Sequence, residues 1–151
     1  MNLTEKPDTV QWPQTYYVFI EKTGPFQNTA PQSWQELHSH ISAISQHNTI
    51  EKYFSLYNRD KQIYRAGVSL NAPPSKLPGG LGYEVVPGGK YSRFTLIGSY
   101  SQLPDASRRV FEIVADKKIP LRDGFNIENY VNDPRTTPED QLVTEIMFPA
   151  A

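Results

Sequence analysis

Asp123-Gly-Phe-Asn-Ile-Glu-Asn-Tyr-Val-Asn-Asp-Pro134 is the most informative segment of the chain. As a strand it alternates, with Phe125 and Ile127 on one side and Asn126, Glu128 and Tyr130 on the other. A glutamate in mid-strand, beside a tyrosine on the same face, is an uncommon choice for packing alone. Glu disfavours strands and is seldom buried without a partner. Two readings follow: Glu128 lies on a solvated sheet face, or it is the charged floor of a pocket for a cation.

Outward from this segment, Leu142 to Phe148 is a closing strand ended by Pro149. Upstream, a helix spans about Leu103 to Lys118, with Ala106, Val110, Ile113 and Val114 inward and two lysines at its negative end. Lys90 to Ile97 precedes it as a strand, and Tyr83 to Val86 is a shorter one turned by Pro87-Gly-Gly89. Asn71 to Gly82, with three prolines, is a connector that divides the chain in half.

The first half repeats this order. Thr15 to Lys22 is a strand rich in β-branched and aromatic residues, closed by Gly24-Pro25. Thr29 and Gln32 form a capping-box pattern for a helix whose stripe Trp34, Leu37, Ile41 and Ile44 runs down to His47-Asn48. Tyr53 to Tyr57 and Ile63 to Leu70 make a hairpin around Asn58-Arg-Asp-Lys61. Met1 to Gln14, polar and holding Pro7 and Pro13, is expected to be a flexible arm.

The chain is thus strand–helix–strand–strand twice, an α+β domain over 15–151 with halves at about 15–70 and 83–149. Lys22-Thr-Gly-Pro-Phe26 lies opposite Leu96-Ile-Gly-Ser-Tyr100, and Tyr57-Asn-Arg-Asp60 opposite Tyr130-Val-Asn-Asp133. These anchors match Tyr17 with Tyr91, Tyr57 with Tyr130 and Ser55 with Glu128. Tyr53, Ser55 and Tyr57 therefore share a face type with Asn126, Glu128 and Tyr130, and only the second half carries an acid there. Periodicity leaves open which face the helices cover.

Composition narrows the function. Fifteen Lys and Arg against 16 Asp and Glu give no field for a polyanion, and no basic-aromatic run, P-loop or dinucleotide fingerprint appears, so direct nucleic-acid binding is not expected. The absence of cysteine removes disulfides and thiol chemistry and suits the cytoplasm. The N-terminus is not a signal peptide, and no segment has the roughly 18 apolar residues of a membrane span. Nine tyrosines, seven phenylalanines and two tryptophans imply surfaces apolar in body and polar at the tip. His38 and His40, two apart on a helix, make a poor metal pair, and no cofactor motif is present.

The segment Gly124 to Pro134, with Thr137-Pro-Glu-Asp-Gln141 and Thr144-Glu-Ile-Met-Phe-Pro149, resembles the C-terminal signature of GyrI-like effector-binding domains. The strand closed by Lys22-Thr-Gly-Pro-Phe26 and the tandem element order are similar too, so the likeness covers Thr15 to Pro149. The resemblance implies an antiparallel sheet with two helices on one face and a central cleft for small molecules. Many such domains serve AraC- or MerR-type regulators and meet lipophilic cations with a buried Glu and stacked aromatics. Carried over, that acid is Glu128 and its companion Tyr130. Tyr17, Phe19, Tyr57, Tyr91 and Trp34 are the candidate walls. The segment before Thr15 is too short for a helix-turn-helix, so a free-standing effector domain is expected, with a homodimer or a separate regulatory protein as compatible partners. Binding rather than catalysis is the leading expectation. The rivals are hydrolysis of strained electrophiles by Glu128, and inhibition of a topoisomerase, for which this near-neutral chain shows no acidic patch.

Overall fold

A computed structural model describes residues 1–151. In chain order the elements are β1 (Asn2–Leu3), β2 (Asp8–Trp12), β3 (Thr15–Thr23), α1 (Phe26–His38), α2 (Ile41–Ser45), β4 (Ile50–Asn58), β5 (Ile63–Leu70), β6 (Gly82–Val86), β7 (Gly89–Ile97), α3 (Leu103–Asp116), β8 (Asn126–Tyr130) and β9 (Val143–Pro149). The fold is α+β, with antiparallel strand pairs. Contacts divide the chain into two compact units, Pro13–Gly88 and Met1–Trp12 with Gly89–Ala151.

In the first unit the strand order is β4-β5-β3-β6. Helix α1 packs on β3 and β5. It starts earlier than the sequence implies, at Phe26 behind Pro25, and no side chain caps it. Thr29, expected as the cap, is one turn inside and donates its hydroxyl to the Pro25 carbonyl at 3.2 Å, which removes the capping box. The expected single helix is also interrupted, because α1 closes at His38 and only the short α2 follows. Cross-strand register shows which face the helix covers: Val18 and Ile20 on β3, Tyr64, Ala66 and Val68 on β5, and Tyr53, Ser55 and Tyr57 on β4. Tyr17, Phe19, Phe54 and Leu56 point the other way. There the Tyr17 ring lies across Gly67, so a Cβ at that position would occupy the ring's own space.

In the second unit β7 is flanked on one side by β1 and β2 and on the other by β9, which carries β8. Residues 1–14 are therefore not a loose arm. Two strands within them pair with β7, and Trp12 is 5% exposed. The polar composition misled because an edge strand needs only one buried side; Val10 and Trp12 supply the inner contacts. The boundary between halves shifts for a related reason: Tyr83–Val86, expected in the second half, belongs to β6, which pairs with β3 in the first unit. The first unit thus gains β6 as its fourth strand, and the second gains both β1 and β2 from the residues before Thr15.

Helix α3 covers one face of the second unit. Ala106, Val110 and Ile113 pack with Phe94, Leu96, Ile146 and Phe148, all nearly or fully buried. Truncating one such phenylalanine to alanine typically costs about 3–5 kcal/mol. The repeat extends to the turns: Gly24 and Gly98 precede the helical turns at φ +135° and +145°, values that favour glycine. Their amides donate to the carbonyls of Gln62 and Leu142, holding each turn to its own hairpin.

Candidate functional site

Strand β8 places Glu128 opposite Ile146 and Tyr130 opposite Thr144. Ile146 belongs to the cluster beneath α3, so the acid and the tyrosine share the helix-covered face. Two residues apart on one strand, their side chains meet, and the Tyr130 hydroxyl donates to Glu128 Oε1 at 2.6 Å. Glu128 is half-buried and no lysine, arginine or histidine pairs with it. Burial pushes its acid up, and the Tyr130 hydrogen bond offsets part of that rise.

The third member of the group is Tyr100, in the single helical turn Tyr100–Gln102 that leads into α3. Its ring meets Tyr130 edge-on, with centroids 5.5 Å apart at 67°. Its hydroxyl is buried without a hydrogen-bond partner. Burial, then the charges of Asp133 and Glu128, raise its pKa. The Thr144 hydroxyl, across from Tyr130, is also buried and unpartnered. One under-neutralised carboxylate beside two rings and two unused hydroxyls can take a proton, a cation or a hydrogen-bonding ligand. No three metal-ligating side chains converge in the chain.

The other candidates have different surroundings. Tyr57, 5% exposed, is the first unit's counterpart of Tyr130 and meets Phe26 edge-on at 5.8 Å. Trp34 lies on the same helix-covered side, where its indole N–H donates to the Tyr64 hydroxyl at 2.7 Å and its ring sits 5.9 Å from His38. Tyr17, Phe19 and Tyr91 lie on sheet faces turned away from the helix of their own unit. Tyr17 is fully buried, stacked on Phe54 at 4.5 Å, with its hydroxyl donating to the Phe54 carbonyl at 2.8 Å. Phe19 already carries the Arg65 guanidinium 4.3 Å over its ring, and Tyr91 carries Arg122 at 5.0 Å. The structure therefore brings Tyr130 to Glu128 and sets Tyr91 on the opposite face of the same unit.

Tyr100 is the residue that reading by strands passes over, since it lies in no strand. Its signal was present in the internal alignment, which matches it with Phe26. The edge-on pairs Phe26–Tyr57 and Tyr100–Tyr130 occupy corresponding places in the two units. A surface groove of about 620 Å³ borders the same turn, lined by Ile97, Ser99, Ser101, Gln102 and Glu139 among others. Glu128 is not among its walls.

The family model for GyrI-like small-molecule-binding domains matches residues 5–151. The chain belongs to this family. No curated protein matches this GyrI-like chain by sequence. Among solved structures, the EcmrR C-terminal domain superposes with a TM-score of 0.75 at 19% identity, over 99% of this chain and 98% of that one. EcmrR in its DNA complex gives 0.69 at 16% identity, with 99% of this chain covered but 57% of EcmrR, so the GyrI-like chain spans little more than half of that protein. SAV2435 bound to tetraphenylphosphonium gives 0.71 at 15% identity, over 97% and 94% of the two chains. At such identities the likeness is one of fold. No helix of the GyrI-like chain is long and apolar enough to cross a membrane.

Proposed function

We propose that this GyrI-like domain binds a small amphipathic organic cation, with Glu128 as counter-ion and the rings of Tyr130 and Tyr100 against the ligand's apolar body. The observation that carries the reading is the half-buried Glu128 carboxylate, which has a tyrosine donor but no basic partner. A desolvated acid of this kind is stabilised in its charged form by a cation, and each aromatic face adds about 0.5–2 kcal/mol of cation–π attraction. A neutral guest would gain from the rings but leave the carboxylate uncompensated. The tetraphenylphosphonium held by SAV2435 is a lipophilic cation and supports the same ligand class. The cysteine-free composition fits a cytoplasmic binder.

The test is a titration followed by intrinsic fluorescence and Tm. Tetraphenylphosphonium and rhodamine-type dyes are expected to bind, whereas triphenylphosphine oxide, of similar bulk but uncharged, binds at least tenfold more weakly. Equal binding of the neutral and charged compounds, or no binding across the cationic panel, overturns the reading. Hydrolysis of an epoxide that stops in Glu128→Gln would replace binding by catalysis at the same carboxylate.

A further inference from the structure

We infer that β6 is a self-pairing edge through which two copies of this chain associate about a twofold axis. Strand β6 hydrogen-bonds to β3 alone, so its outer edge carries unpaired backbone donors and acceptors. Tyr83 and Val85, 38% and 42% exposed, stand on one face of that edge, next to half-buried Tyr16 on β3. Glu84 points to the opposite face, where Arg65 Nη1 pairs with its Oε2 and Arg65 Nε also binds Glu21 at 2.8 Å. The charge that would otherwise deter a second strand is already neutralised.

The five residues Gly82-Tyr-Glu-Val-Val86 are self-complementary in antiparallel register. With the axis at Glu84, Tyr83 of each copy faces Val85 of the other, making two aromatic–β-branched cross-strand pairs on one face. On the other face the two Glu84 carboxylates meet at the axis, flanked by the two Arg65 guanidinia in the order plus, minus, minus, plus. A guanidinium has five donors and can serve a carboxylate on each copy. Five residues a side is a small interface, so the association is reversible rather than permanent.

The internal repeat supplies a control within the same molecule. By the matched registers, β2 holds the place in the second unit that β6 holds in the first, and Thr9 and Gln11 correspond to Tyr83 and Val85. Both are polar and exposed. An edge strand in this fold therefore has no need of apolar side chains at these two positions, and β6 carries them nonetheless.

Sedimentation velocity on the full chain from about 10 μM to 1 mM tests the pairing. The wild type is expected to pass from monomer to dimer in this range, and Tyr83→Lys or Val85→Glu to weaken the dimer about tenfold or more. Mixing these two variants restores association, because the axis at Glu84 sets the introduced ammonium opposite the introduced carboxylate while the remaining Val85 and Tyr83 keep their native pair. Should either variant fail to fold, hydrogen exchange on the wild type decides instead, with β6 amides gaining protection as concentration rises. A wild-type monomer at about 1 mM, a dimer indifferent to both substitutions, or variants that do not associate on mixing overturns the proposal.

Discussion

Glu128→Gln separates a ligand-binding carboxylate from a structural one. The substitution keeps side-chain volume and leaves an amide oxygen to accept from the Tyr130 hydroxyl, now 2.6 Å from Oε1. It removes the charge. Two unit charges 4 Å apart attract by about 4 kcal/mol at an effective dielectric of 20. Solvent on a half-buried carboxylate and desolvation of the incoming cation take back part of that. A net loss of roughly 1.4–2.8 kcal/mol, or ten- to a hundredfold in Kd, is expected for tetraphenylphosphonium by calorimetric titration. The unliganded protein loses nothing comparable, because burial already disfavours the charged form.

The pH dependence follows with a definite sign. The folded chain holds a proton on Glu128 that the unfolded chain has released, between the ordinary glutamate value and the raised one. The stability from this group is fully present below the ordinary value and is lost as pH rises through the raised one. Cation affinity moves oppositely, rising over the same interval as the carboxylate forms. Both slopes disappear in Glu128→Gln. A Kd within about twofold of wild type refutes the counter-ion argument, and so does an unliganded protein destabilised by more than about 2 kcal/mol in urea, which would make Glu128 a packing partner.

Two further substitutions test the scaffold. Gly67→Ala directs a methyl group into the Tyr17 ring, which is stacked on both sides and anchored by its hydroxyl, so urea unfolding is expected to show a loss of about 1–3 kcal/mol or more. A change under about 0.5 kcal/mol would mean that the ring yields. Deleting residues 1–12 strips β1 and β2 from β7 and removes buried Trp12, a cost of at least about 3 kcal/mol and a fall in Tm of roughly 10 °C. An unchanged Tm would restore the flexible arm.

Alternation and helical spacing are local properties, and they carried far in this chain. The tandem strand–helix–strand–strand order, the inward faces of α3 and the shared face of Glu128 and Tyr130 are all written in residue spacing, because a strand turns its side chains every second residue and a helix every third or fourth. The matched turns Gly24-Pro25-Phe26 and Gly98-Ser99-Tyr100 were equally legible, since positive φ restricts the choice of residue. Pairing is not local. Nothing in Asp8–Trp12 states that it adds to β7, or in Gly82–Val86 that it adds to β3, because backbone hydrogen bonds between strands are indifferent to side-chain identity. Likewise only the folded chain puts Tyr91 behind the sheet and Tyr100 beside Glu128, for an aromatic ring packs as well on either face until the helices choose one to cover.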